Sequence, residues 1–328
     1  MARPPYTLTP GIVRQVAAIG EALGRLSAQS EQGGDLRLRR ANRIRTVQGS
    51  LAIEGNTLSE AQITAILDGR RVVAPPREIQ EVRNALAAYD RLAEWRPAQE
   101  ADLLAAHGLL MAGLLDEAGV WRRGGVGVMA GDRVIHMAPQ AHRVPELMRD
   151  LLGWLAATDE HPLIASSVFH YEFEFIHPFA DGNGRVGRLW QTLILSRWQP
   201  VLADLPVESL IHANQPAYYQ AIQDATAGAD SASFIEFMLR MIHEALEAGA
   251  PQVAPQATPQ VEQLLRVLVG EMSRNELMAA LNLRDRKSFR ERYLAPALAD
   301  GLIEMTRPAT PNSPAQRYRL TGIGLQIR

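Results

Sequence analysis

The feature that most constrains this chain is a short polar loop set between two apolar helical segments. Residues 162–176 and 185–198 each place apolar side chains at three- and four-residue steps, the period of a helix that buries one face. Pro162 stands where a first helical turn accepts proline. Pro178 pushes His177 out of the α region and so ends the first segment. The same period recurs over 78–92 and 144–155, and it dominates the first 247 residues. One stretch departs from it. Residues 124–139 hold two short Val/Ile/Met runs around Ala130-Gly131-Asp132, the pattern of a β-hairpin. The expected fold is mostly α with one hairpin.

Length and composition narrow the class further. The 328 residues suggest about two domains, and a net charge of -2 excludes a chain whose whole surface grips nucleic acid. With no cysteine, disulfides, thiolate zinc sites and Cys nucleophiles are excluded. The longest apolar stretch, Leu103–Leu115, has 13 residues and contains His107, short of the roughly 18 that span a bilayer. The first ten residues carry three prolines and no apolar run, unlike a secretory leader. A cytoplasmic protein with no membrane partner is expected.

The loop itself reads HPFADGNGRVGR, from His177 to Arg188. Gly182 and Gly184 let the backbone curl so that successive N–H groups point into one hollow, and the next helix adds its positive end. This suits an anion such as phosphate. Arg185 and Arg188, three apart, can face one ligand. Asp181 offers a carboxylate for Mg²⁺ on a polyphosphate, and His177 can act as a general base at neutral pH. Taken singly, each residue has a plainer reading as turn, cap or solvated face. Together they form what transfer from a nucleoside triphosphate requires.

HPFADGNGR resembles the core motif of the Fic family at every fixed position: His-Pro-Phe, any residue, Asp or Glu, Gly-Asn, Gly or Lys, then Arg. Arg188 supplies the second arginine. The resemblance covers roughly residues 98–243. It implies a Fic-type helical bundle that transfers AMP from Mg-ATP to a Ser, Thr or Tyr hydroxyl of a target protein, itself included. His177 would deprotonate that hydroxyl, Phe179 would anchor the loop, and Asp181 would bind Mg²⁺. Gly182, Asn183, Gly184 and Arg185 would hold the phosphates, with Arg188 at the γ-phosphate. Phosphate-transferring relatives have Lys or Arg where this chain has Gly184, which favours AMP transfer. The segment 214–222 is similar to the family's downstream helix.

Ser50–Asn56, SLAIEGN, resembles the family's inhibitory motif: Ser or Thr, three residues, Glu, then Gly or Asn. Ser50 and Glu54, four apart, share a helix face. The plainer reading is a helix end stopped by Gly55. The resemblance implies that Glu54 pairs with Arg188 and restrains the enzyme; removal of AMP, with Glu54 positioning water, is the reverse alternative. The hairpin, with Val126, Val128, Ile135 and Met137 at alternating positions, can add a strand of target over the site or serve only as cover. His170 reads as structural, and His136 and His142 as surface residues.

Residues 248–260 have the Pro/Ala/Gln composition of a linker. Beyond it, three short helices and two strands outline a winged helix-turn-helix with 11 basic and 7 acidic residues over 262–328, so +4 against -6 for the remainder. Its third helix, Arg284–Arg292, is basic enough to meet DNA, yet Asp285 and Glu291 interrupt it and +4 is low for a dedicated DNA binder, which favours a protein-interaction or structural role over DNA binding. A nucleotide-sensing DNA-binding regulator is therefore the rival to the enzyme. The expected organisation is an N-terminal helical region (1–97), a core (98–247), the linker (248–260) and the winged-helix domain (261–328). A homodimer and the identity of the target are left open.

Overall fold

The computed structural model describes residues 3–30, 36–130, 133–249, 259–283, 285–299, 302–307, 313 and 316–321. The linker between 250 and 258 lies outside them, as does the turn at Gly131 and Asp132. The chain divides into two units, Met1–Ala250 and Pro251–Arg328.

The first unit is helical: α1 (Pro10–Ser30), α2 (Leu36–Ile53), α3 (Glu60–Leu67), α4 (Pro76–Asp90), α5 (Glu100–Leu110), α6 (Val144–Ala157), α7 (Pro162–Ile176), α8 (Asn183–Trp198), α9 (Val207–Ala213), α10 (Gln215–Gly228) and α11 (Ala232–Gly249). Between α5 and α6, β1 (Gly127–Ala130) pairs antiparallel with β2 (Arg133–Met137). Val126 precedes the first strand, and the register slips between Val128 and Met129. The mostly α fold with a hairpin is thus what the chain adopts.

At its centre α7 packs on α8. Val168, Phe169 and Phe173 from one helix and Val186, Leu189, Trp190 and Leu193 from the other have no exposed surface. Burying each such side chain is worth about 1.5–3 kcal/mol. This pair of helices is the rigid base on which the intervening loop stands. No helix among the described residues is long and apolar enough to cross a membrane.

α2 packs against α9 with its backbone almost in contact. A Cβ at Gly49 would stand 2.5 Å from the backbone nitrogen of Ser209. We predict that Gly49→Ala lowers stability by about 1–3 kcal/mol, the usual cost of overpacking. Denaturant unfolding would measure it, and an unchanged midpoint would mean that α2 moves freely.

The second unit holds α12 (Pro259–Val267), β3 (Met272–Ser273), α13 (Arg274–Ala280), α14 (Arg286–Phe289), a π-helical turn (Arg290–Leu294), α15 (Ala295–Ala299), β4 (Ile303–Met305) and β5 (Arg317–Leu320). Its core gathers Leu264, Leu277, Phe289, Leu302 and Tyr318. The sheet has three strands, ordered β3-β5-β4, where the sequence suggested two. A strand of two residues has no period to detect. It is defined only by its partner β5, with Met272 opposite Tyr318. The expected third helix runs without a gap through α14, the π turn and α15, and Arg284 at its expected start lies outside the described residues.

Candidate active site

α7 ends at His177, which takes the left-handed conformation with φ 49°. Such a backbone costs a non-glycine residue on the order of 1–3 kcal/mol and persists only where its surroundings impose it. Arg122 imposes it. Its Nε donates to the His177 carbonyl at 2.7 Å, its backbone N–H donates to Pro178 O at 2.9 Å, and Nη1 donates to Gly124 O at 2.8 Å. Nη2 donates to Pro139 O and Ile176 O. One buried guanidinium therefore ties the loop to both ends of the hairpin. Burial lowers the Arg122 pKa. Nothing in the sequence around Arg122 and Arg123 distinguished it.

The loop is anchored by an aromatic stack. Phe179 is fully buried and lies parallel to the His107 ring, with centroids 3.6 Å apart. Burial pushes His107 down to about 4, so it is neutral at pH 7. The backbone N–H of Gly119 donates to Nδ1 at 2.8 Å, which leaves Nε2 to donate to the Asp181 carbonyl at 3.0 Å. Asn183 closes the turn: Oδ1 accepts from Phe179 N at 2.8 Å and Nδ2 donates to Phe179 O at 2.9 Å. Its side chain is therefore engaged within the loop, and only its backbone N–H is left for an anion. Gly182, with φ 82°, admits no Cβ, which would fall 2.6 Å from Met111 Sδ.

α8 starts at Asn183, so the N–H groups of its first turn lack intrahelical acceptors and face an anion favourably. The two arginines part company here. Arg188 lines the cavity described below, whereas Arg185 does not. Arg185 is held behind the loop, Nη2 3.1 Å from Asp181 Oδ1 and Nη1 3.5 Å from Glu81 Oε1. Three-residue spacing put both arginines on one side of the helix, but two carboxylates draw Arg185 away. Its Nε and Nη1 are buried without a hydrogen-bond partner. Asp181 also accepts from Gly182 N at 2.6 Å, and its other oxygen lies 3.4 Å from Arg77 Nη2.

Arg188 meets the upstream motif. Nη2 lies 2.7 Å from Glu54 Oε1 and donates to Ser50 O at 2.9 Å, while Nε donates to Ser50 Oγ at 3.1 Å. Burial lowers the pKa of this guanidinium, but the adjacent Glu54 charge more than offsets it and the net shift is upward. Glu54 sits in the turn just beyond α2, completed by Gly55 at φ 91°. Asn56 pins that turn to α4 by donating to Glu78 O at 3.2 Å and Glu81 Oε2 at 2.9 Å.

A cavity of about 270 Å³ opens between these groups. Glu54, Glu174, His177, Asp181, Arg188 and residues 182–184 make its polar wall, and two tyrosines, Tyr218 and Tyr219, with the aliphatic Ile222, all of α10, make the opposite one. A Cβ on Gly184 would clash with Glu54 Oε1, so the Glu54 carboxylate rests directly on this glycine. From the hairpin, Gly127 reaches the cavity and Met137 is 70% exposed. Val126 is half-buried, and the side chains of Val128 and Ile135 lie outside those described. His170 is buried, in line with a structural role. Glu174, which the sequence reading passed over, lies in the cavity wall beside His177.

Comparison with known proteins bears on the family of the chain. Residues 97–195 match the Fic/DOC family, and residues 259–321 match the C-terminal domain of Fic-like "filamentation induced by cAMP" proteins. The chain is 31% identical over 221 residues to protein adenylyltransferase Fic of Culex quinquefasciatus and 32% identical over 208 residues to protein adenylyltransferase fic-1 of Caenorhabditis elegans. Those matches cover 62% and 59% of this chain but only 41% and 38% of the relatives, so the chain spans less than half their length. A crystal structure of a Fic family protein from Desulfovibrio desulfuricans G20 is 57% identical, with a TM-score of 0.75 over 98% of this chain and 99% of that one. Identity of that degree along nearly the whole of both chains leaves one assignment: this chain belongs to the Fic family.

Proposed function

We propose that the chain is an autoinhibited protein adenylyltransferase, moving AMP from ATP to a hydroxyl of a protein target. The observation that carries the reading is the convergence of His177, the first turn of α8 and the Glu54-bound Arg188 on one cavity. Similarity to curated adenylyltransferases supports the reaction type.

In this reading His177 takes the proton of the target hydroxyl. The N–H groups of Asn183, Gly184 and Arg185 hold phosphate oxygens, and the buried Arg185 guanidinium braces Asp181 from behind. Arg188, once released by Glu54, positions the γ-phosphate. Tyr218, Tyr219 and Ile222 offer the base a flat, apolar wall. The hairpin, held at its base by Arg122, docks an extended target segment through its free edge.

Mg²⁺ fits this donor set. No group of three or more candidate ligands occurs among the described residues, and Mg²⁺ typically uses one or two carboxylates plus substrate phosphates. Asp181, whose side chain is 42% exposed, would hold it. Bound there, Mg²⁺ would neutralise charge on the polyphosphate.

Asp181→Ala is expected to cut turnover with Mg-ATP about tenfold or more while leaving the fold intact, since this carboxylate supports a loop and not the core. Parent-like turnover at saturating Mg-ATP would remove Asp181 from the site. The reading as a whole is tested by incubating the chain with ATP labelled at the α- or γ-phosphate and a protein lysate. Label should reach protein from the α-position only; transfer from the γ-position would make the enzyme a kinase.

A further inference from the structure

Behind His177 lies a carboxylate that the reaction as described does not use. Glu174, one turn earlier on α7, is 4% exposed, and its Oε2 lies 3.6 Å from His177 Nδ1. Neither His177 Nδ1 nor Glu174 Oε1 has a hydrogen-bond partner, although both are buried. Buried polar atoms left unpaired are rare and call for a reason. Hydrogen bonds within a catalytic set are often long until substrate is bound.

The other imidazole near Glu174 cannot be its donor. Gln191 donates through Nε2 to Ser167 Oγ, which turns its Oε1 toward His170 Nδ1 at 2.6 Å. His170 therefore carries its proton on Nδ1, and its Nε2 accepts from Tyr218 OH at 3.2 Å. Burial pushes His170 down to about 4, so it stays neutral. Its Nε2 lies 3.9 Å from Glu174 Oε1 with no hydrogen to offer. The remaining ring N–H able to meet the carboxylate is that of His177.

α8 makes room for this arrangement. A Cβ at Gly187 would fall 2.9 Å from Glu174 Oε1 and 3.0 Å from His170 Cδ2. A glycine inside a helix is less favourable than alanine, and here its empty side accommodates the carboxylate and the ring. Around Glu174 stand His170 and His177 of α7, Arg188 of α8 and Tyr218 of α10. Burial pushes the Glu174 carboxyl up, but the neighbouring His177, together with the Arg188 guanidinium, outweighs it and holds it below its usual value. It is ionised at neutral pH.

We propose that Glu174 is a positioning residue for the catalytic base: it holds His177 with the proton on Nδ1, so that Nε2 presents its lone pair to the cavity, and it balances the imidazolium formed in the reaction. This rests on the AMP-transfer reading above. As the target hydroxyl oxygen bonds to the α-phosphorus, its proton passes to His177 Nε2. The bond from the α-phosphorus to the α,β-bridging oxygen breaks, and pyrophosphate leaves with that electron pair. His177, now protonated on both nitrogens, directs Nδ1–H at the Glu174 carboxylate, which remains ionised throughout. The proton then leaves to solvent. The division of labour follows the general logic by which a carboxylate sets the tautomer of a histidine base.

Two measurements on the full chain test this. With ¹⁵N-labelled histidine, long-range ¹H–¹⁵N spectra above pH 8 should show the ring of His177, assigned by its loss in His177→Ala, as the Nδ1–H tautomer. The Nε2–H tautomer would overturn the proposal without any need for a Glu174 variant to fold. Kinetically, Glu174→Gln should lower kcat about tenfold with KM for ATP within twofold of the parent, as expected for weakening one charge-assisted contact. An unchanged kcat, or a raised KM at constant kcat, would also overturn it. Absence of any α-label transfer by Glu54→Gly as well as by the parent would instead defeat the AMP-transfer reading, leaving the tautomer spectrum to decide what Glu174 does to His177.

Discussion

His177→Ala is expected to abolish AMP transfer while leaving ATP bound. Loss of a general base costs roughly 10²–10⁴-fold in turnover, and the residues assigned to the nucleotide are untouched by the change. The first turn of α8 is built by Gly182 and by the Asn183–Phe179 clip, neither of which includes the imidazole. The left-handed backbone at 177 is held by Arg122 through the carbonyl oxygen, which alanine retains. The variant should therefore fold with the parent's helical content and bind ATP with similar affinity by calorimetry, yet place no α-label on protein. Full transfer by His177→Ala would mean that another group takes the hydroxyl proton.

Glu54→Gly is expected to have the opposite sign, with transfer rising roughly 10- to 100-fold. Glu54 occupies Arg188, the cation assigned to the γ-phosphate, at 2.7 Å. A charge-assisted hydrogen bond of this kind is worth about 1.5–3 kcal/mol, and each ~1.4 kcal/mol is a factor of ten in rate. The substitution does not strand the guanidinium, because the Ser50 hydroxyl and carbonyl still accept from it. Arg188 is 1% exposed, so release of the carboxylate frees it toward the cavity and not toward bulk water. The gain should vanish in Glu54→Gly/Arg188→Ala, since the freed arginine does the positioning. A variant that keeps its circular dichroism spectrum but gains no auto- or lysate-directed transfer would rule out inhibition by Glu54. Simple loosening of α2 gives flat or lower activity, which separates it from release of Arg188.

Much of the fold was legible along the chain because it rests on local rules. α7 begins at Pro162 and ends at Ile176, where a proline at each end had placed its limits. The hairpin followed from two apolar runs about a glycine turn, and Gly55 was read as a helix stop and forms one. Features defined across long sequence distances were not visible in this way. Arg122 acts on His177 across 55 residues, and β3 exists only because β5 lies beside it. The facing of Arg185 is decided by Glu81, 104 residues earlier, against what its spacing from Arg188 implied.

The Glu54–Arg188 pair lies between these cases. Its members are 134 residues apart, and no periodicity relates them; family resemblance alone brought them together in advance. Glu174 was within reach, three residues before His177, but a glutamate on an apolar helix has no visible partner until α8 and α10 close over it. The sequence by itself determined where helices start and stop, which loop could cradle an anion and which side chains could do acid–base work, since φ/ψ limits, glycine freedom and side-chain chemistry are properties of neighbours in the chain. Tertiary structure decided which charges are paired, which carboxylate stands behind the histidine and which arginine faces the cavity. Those outcomes depend on burial, which strengthens a charged contact and penalises an unpaired one, and burial is set by residues far apart in sequence.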